Sequence, residues 1–148
     1  LSLIFTGKKR DASKILVNQN FTEKKNIHNL KLMKSLVPKF IKNIKKGNIE
    51  DAGKILKKNW DQKKKLKKNW EQKKKLNKFI LNKEILKIEE KLNFSGIYGY
   101  KLLGAGGGGY FCTISTQSSK KKLKKKFKGN YFDVKFDFKG TRKVNLNY

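Results

Sequence analysis

Gly104, Ala105, Gly106, Gly107, Gly108 and Gly109 form the stretch of this chain whose residue types point most directly to chemistry. Glycine tolerates positive φ, and its missing Cβ lets another backbone or a phosphate come close. Successive N–H groups in such a run can form an anion nest. No Lys-Ser/Thr pair follows Gly109, so the run is not a Walker-type loop. A strand and not a helix follows it, so it is not a dinucleotide fingerprint either. On glycine count alone, a phosphate role and a plain tight connection both stay open. Arg10, one of two arginines with Arg142, follows a strand end and Gly7. Its guanidinium could grip a phosphate or sugar hydroxyls, or pair with Asp11 or a carbonyl. Thr6 could present its hydroxyl and backbone to the same ligand, or simply end its strand.

The other reactive types carry less. His28, the chain's one histidine, has no Asp/Ser or Cys partner pattern nearby and is expected on a helix surface. Cys112, the one cysteine, sits mid-strand among apolar residues and is expected to be a buried thiol. A single cysteine excludes an internal disulfide framework and fits a reducing compartment. No His/Cys cluster supports a structural zinc, so no metal ligand and no catalytic acid or base is assigned. Lys101 is expected to be a surface-facing strand lysine. Trp60 and Trp70 are expected to pack and not to stack a base or sugar.

These residues need elements to position them. Residues 1–6, LSLIFT, are short, apolar and bounded by Gly7, and read as a buried strand that begins abruptly. Ala12, Ile15, Leu16 and Gln19 then fall at helical spacing. Residues 26–46 carry Ile27, Leu30, Met33, Leu36, Val37, Phe40, Ile41 and Ile44 at intervals of three and four, a helix that Pro38 should kink or split near Val37. Gly47 and Asn48 stop it, and Asn48 caps a further helix with Glu50 and Asp51 in its first turn. Helical spacing resumes over 76–92, residues 98–103 and 110–115 read as strands, and 118–127 as a lysine-rich helix. Residues 131–138 alternate as a half-buried strand with Phe132, Val134, Phe136 and Phe138 on one face. The order predicts an α+β fold: a four-stranded, mostly antiparallel sheet with helices packed on one face.

Residues 56–65 (LKKNWDQKKK) and 66–75 (LKKNWEQKKK) agree at nine of ten positions. Solenoid units are longer and more numerous, so this reads as a local duplication. Ten residues leave Trp70 roughly 80° from Trp60 around a helix axis. One copy is expected to pack as the ancestral helix did, and the two tryptophans to differ in burial. Lys+Arg is 39 against Asp+Glu 11 in 148 residues, a net charge of +28. Such a field suits nucleic acid or small anionic substrates. The excess is lysine and not arginine, however, which argues for composition over bidentate phosphate recognition and for solvated lysine faces. No run approaches 18 apolar residues, which excludes a transmembrane helix, and no charged n-region with an apolar h-region is present.

Lys101-Leu-Leu-Gly-Ala-Gly-Gly-Gly-Gly-Tyr-Phe resembles the third conserved motif of the GHMP sugar kinases (galacto-, homoserine, mevalonate and phosphomevalonate kinases). Phe5-Thr-Gly-Lys-Lys-Arg-Asp-Ala, Asp51-Ala-Gly-Lys-Ile-Leu followed by Trp-x-x-Lys-Lys-x-Leu, and Phe136-Asp-Phe-Lys-Gly-Thr-Arg are together most similar to the bacterial D-glycero-D-manno-heptose 7-phosphate kinase group. The pattern departs at Tyr100, where that group tends to have glycine. The resemblance implies an enzyme that moves the ATP γ-phosphoryl group to a sugar or sugar-phosphate hydroxyl, best heptose 7-phosphate, with Mg2+ bridging the nucleotide phosphates, in cytoplasmic nucleotide-heptose and cell-surface polysaccharide synthesis. It implies that Thr6, Gly7 and Arg10 face the sugar, and that residues 104–109 support the phosphate loop. The family's Pro-x-x-x-Gly-Leu-Gly-Ser-Ser-Ala loop and its catalytic Asp and Lys do not occur here. Residues 1–148 are therefore expected to be the C-terminal domain of a larger kinase. Its partner is the missing N-terminal domain, and alone it is expected to be inactive. The alternative reading is a nucleic-acid-binding module using the lysines of 63–68, 73–75 and 120–126. A fragment with only a structural role is the third.

Overall fold

A computed structural model of the chain describes residues 1–9, 24–68, 81–94, 96–137 and 140. The expected helix around Ala12–Gln19, Arg10, Trp70 and the rest of residues 69–75 of the second repeat copy lie outside the described residues. The elements run β1 (Ser2–Phe5), α1 (Lys24–Lys45), α2 (Ile49–Lys68), α3 (Lys83–Leu92), β2 (Ile97–Leu102), β3 (Tyr110–Ser115), α4 (Gln117–Lys126) and β4 (Tyr131–Asp133). The strands form one sheet in the order β2-β3-β1-β4, with every neighbouring pair antiparallel. This is the expected α+β architecture.

The core lies where strand residues Ile4, Tyr100, Leu102 and Phe111 meet Trp60, Ile85, Leu92, Leu123 and Phe127. Phe111 takes the Trp60 ring edge to face at 5.9 Å and the Tyr100 ring at 6.0 Å. These are the offset geometries that aromatic quadrupoles favour. Trp60 is completely buried, as its place on the apolar stripe of α2 requires.

Four sequence readings need correction. Pro38 does not split α1: the helix continues through it to Lys45. Contacts ahead of the proline hold α1 to its neighbour, with Leu36 buried and the Asn59 amide of α2 donating to the Met33 carbonyl at 3.1 Å. Within the span 76–92, α3 starts only at Lys83, because Asn82 turns the chain and accepts from the Ile85 N–H at 2.9 Å. Residues 76–80 lie outside the described set. The last strand stops at Asp133, and residues 134–137 of the expected span lie outside it. Its phenylalanine face is also turned outward. Ile4 pairs with Tyr131 and Leu3 with Phe132, and directly opposed residues share a face. Tyr131 therefore packs on the core, while Phe132 joins Tyr110 on the open side, 5.8 Å away, and Phe136 is exposed.

The expected stop after α1 is present. The Gly47 N–H donates to Ile44 and the Asn48 N–H to Asn43, the paired bonds of a Schellman end. α2 then runs along the edge strand β2, with Gly53 against Tyr98 and Gly99. Asn59 ties three elements together. It donates to α1 and accepts from Lys101 Nζ of β2 at 2.6 Å.

Candidate functional site

Residues 103–109 connect β2 to β3, and the ends of this loop are fixed by backbone bonds. The Leu103 N–H donates to Tyr110 O at 2.9 Å, closing the hairpin. The Gly109 N–H donates to Lys8 O at 3.0 Å, and the Thr6 N–H to Gly109 O at 2.9 Å. The exit of β1 and the glycine loop therefore lie side by side. Of the sequence-assigned residues, the structure brings together Thr6, Gly7, Gly104, Ala105, Gly106, Gly107, Gly108 and Gly109.

The loop requires its glycines for two different reasons. Gly104, Gly106, Gly107 and Gly109 have φ of 68°, 117°, 76° and 91°, a region that L side chains rarely adopt. Gly108 is needed for space. A Cβ there would stand 2.7 Å from the Lys8 carbonyl oxygen and 3.2 Å from Lys8 Cβ. The glycines thus shape the turn and let the β1 exit close on it. Thr6 is buried at 6% exposure, and its hydroxyl faces the Lys8 N–H at 3.4 Å in a local turn. Gly7 is exposed with φ of 76°.

Side chains from two helices also reach the loop. Lys63 of α2 donates to the Gly104 carbonyl, and the Asn82 amide at the start of α3 donates to the Gly107 carbonyl at 3.0 Å. Sequence reasoning missed both. Asn82 carried a usable signal, an Asn just ahead of Lys-Glu-Ile, which is a capping pattern. Lys63 carried none, being one lysine in a run of three.

Beneath the loop a charged chain runs along α2. Asp61 meets Lys57 at 2.6 Å and Lys64 at 3.0 Å, and Lys64 also pairs with Glu89 of α3. Glu89 accepts from Trp60 Nε1 at 3.2 Å and from the Tyr100 hydroxyl at 3.4 Å. Burial alone would push the Asp61 carboxyl up, but the hydrogen bonds from Lys57 and Lys64 hold it below its ordinary value. Burial likewise opposes the Lys64 charge, yet Glu89 and Asp61 raise its pKa above the usual lysine value. Tyr100 is pushed well above the ordinary phenol range, first by burial and then by the Glu89 and Asp61 charges. Lys64 is therefore engaged inside the fold, and Lys63 is tied to the loop at the surface, so these two lysines of the 63–68 run already have partners within the chain. Lys126, exposed on α4, donates to the Lys91 carbonyl at 2.8 Å.

The other candidates fall as follows. Lys101 is half-buried on Asn59 and not freely surface-facing, and burial lowers its pKa. Cys112 is a half-buried free thiol whose pKa burial pushes up. His28 is exposed on α1. Among the described residues no three His, Cys, Asp or Glu side chains converge as a metal site, so magnesium ligands are not assigned to them. Among the same residues no helix is long and apolar enough to cross a membrane.

Residues 40–133 match the family model described as GHMP kinases C terminal. No curated protein and no solved structure matches the chain significantly.

Proposed function

The chain belongs to the GHMP kinase family through its C-terminal domain, since the match spans more than half of its length, and from that premise we propose that it completes an ATP-dependent sugar or sugar-phosphate kinase. The family supplies the kinase assignment. The substrate, best heptose 7-phosphate, and the cytoplasmic setting are this reading's own. The phosphate-binding loop, the catalytic Asp and Lys and the magnesium site belong to a preceding domain. This chain walls the cleft: residues 104–109 back the phosphate loop, and Thr6, Gly7 and Arg10 face the sugar.

The observation that carries the reading is the glycine loop itself. Four of its glycines have positive φ, and it closes on the β1 exit through Lys8 and Thr6. A plain connection between two strands needs only a two- to five-residue turn. In phosphoryl transfer, positioning and charge stabilisation do most of the work, so a rigid backbone wall beside the phosphates has a direct use. The Lys63 ammonium beside the loop suits an anion there.

The test joins this chain to the reading frame that precedes Leu1 and measures ATP-dependent phosphorylation of heptose 7-phosphate beside other sugars and sugar phosphates. Activity with one of them, and a Gly-Leu-Gly-Ser-Ser-Ala-like segment upstream, is the expected result. A joined protein that phosphorylates no sugar overturns the reading.

A further inference from the structure

Strand bonds fix the ends of the glycine loop, but its middle is built from the residue type that loses most freedom on ordering. Two side chains meet that middle from different helices. Lys63 Nζ donates to Gly104 O from α2, and Asn82 Nδ2 donates to Gly107 O at 3.0 Å from the start of α3. We infer that Lys63 and Asn82 are positioning residues that clamp the loop through its carbonyls and so fix the directions of its N–H groups. The reason is covalent. In a trans peptide the N–H of one residue points opposite to the C=O of the residue before it. Drawing Gly104 O toward Lys63 turns the Ala105 N–H the other way, and drawing Gly107 O toward Asn82 does the same to Gly108. A carbonyl clamp is therefore also an aiming device for donors, the groups that a glycine loop offers to an anion.

Asn82 divides its amide between two tasks. Its Oδ1 caps α3 by accepting from the Ile85 N–H at 2.9 Å, while its Nδ2 holds the loop. Lys63 stands one turn beyond Trp60, which is completely buried, so its starting point is set by the core. The loop is thus tied to two helices whose own positions the core determines.

The division gives a clean test. Asn82→Asp keeps the capping oxygen and removes the donor, and Lys63→Met keeps most of the aliphatic stem and removes the ammonium. Hydrogen exchange is measured on the 148-residue chain and each variant. The expected result is at least tenfold faster exchange at residues 104–109, with Ile85 exchange and the melting temperature unchanged. Unchanged loop exchange in both variants overturns the clamp. Exchange that rises across all elements together with a fall in melting temperature overturns it as well, since that is general destabilisation.

The link to catalysis rests on the kinase reading and has its own arm. In the joined enzyme Asn82→Asp should lower kcat at least tenfold while the sugar KM holds, and an unchanged kcat overturns the positioning role. A joined parent without activity refutes the kinase reading, and the exchange result still decides the clamp.

Discussion

Replacing Gly53 with alanine sets two energies of opposite sign against each other. Gly53 lies inside α2, where alanine is the better helix former by about 0.8–1 kcal/mol. A helix considered alone would therefore gain stability. The packing says otherwise. A Cβ at Gly53 would stand 2.4 Å from Tyr98 Cβ, 2.8 Å from the Tyr98 carbonyl carbon and 3.1 Å from the Gly99 nitrogen. Carbon–carbon contacts are comfortable only from about 3.5 Å. None of the three atoms is the end of a flexible side chain, so α2 and β2 must move apart. Overpacking of this kind costs about 1–3 kcal/mol, and backbone neighbours put the cost near the top of that range. Subtracting the helix gain leaves a net loss of about 2 kcal/mol, or a fall in Tm of about 4–8 °C for a chain of this size. Gly99→Ala should be worse, because its Cβ would lie 1.8 Å from the Gly53 carbonyl oxygen and no helix gain offsets it. Thermal and urea unfolding of both variants beside the parent is the assay. A Gly53→Ala protein that melts at or above the parent temperature would refute the close approach of α2 to β2.

Removing Glu89 with alanine leaves the Trp60 N–H and the Tyr100 hydroxyl without their acceptor and Lys64 without one of its carboxylates. A loss of about 2–3 kcal/mol in urea unfolding is expected. Asp61 has a folded pKa below its ordinary 3.8, so its contribution is complete above that value and is lost as the pH falls through and below it. Lys64 has the opposite sign: its raised pKa contributes fully below 10.5 and is lost as the pH rises beyond it. Unfolding midpoints measured across pH should therefore fall at both ends, and Asp61→Asn should flatten the acid limb. Gly107 has φ of 76°, so Gly107→Val in the joined enzyme should cut turnover at least about tenfold, or about 1.4 kcal/mol of barrier. Steady-state kinetics check this, with melting temperature expected to change less than activity. Deleting residues 66–75 should leave the Tm of this chain nearly unchanged, because Trp60, Lys63 and Lys64 of the first copy make the contacts to Phe111, Glu89 and Gly104. Thermal unfolding decides it.

What could be read from sequence was what local pattern dictates. β3 coincides with its short apolar run, and the stop at Gly47 and the burial of Trp60 follow from residue type and spacing. What failed depended on partners distant in sequence. Alternation in 131–138 shows that two faces differ but not which one is inward, and that is set by the pairing of Ile4 with Tyr131. Apolar spacing continues smoothly across Asn82, so periodicity cannot see the cap that delays α3. Tyr100, the departure from the glycine expected by resemblance, is accommodated because its ring has Phe111 and Lys57 beside it and its hydroxyl has Glu89. The glycine loop was legible as a candidate from composition. Its two side-chain anchors were not: a lysine among lysines carries no signal, and the capping pattern at Asn82 marks a helix start but not the loop carbonyl that its amide reaches.

The Gly53–Gly99 contact also constrains how this gene could lengthen. With no side chain on either residue, the backbones of α2 and β2 meet directly, and α2 cannot slide along the strand without forcing a side chain into that gap. Asn59, Trp60, Lys63 and Lys64 each have a partner on another element at a fixed distance downstream of it along α2. An insertion between Gly53 and Lys64 would shift some of these residues by a non-integral number of turns and break the series. A ten-residue copy placed after Lys65 breaks none of them. The duplication thus lies beyond the last of these contacts, where extra residues leave every one of them in phase.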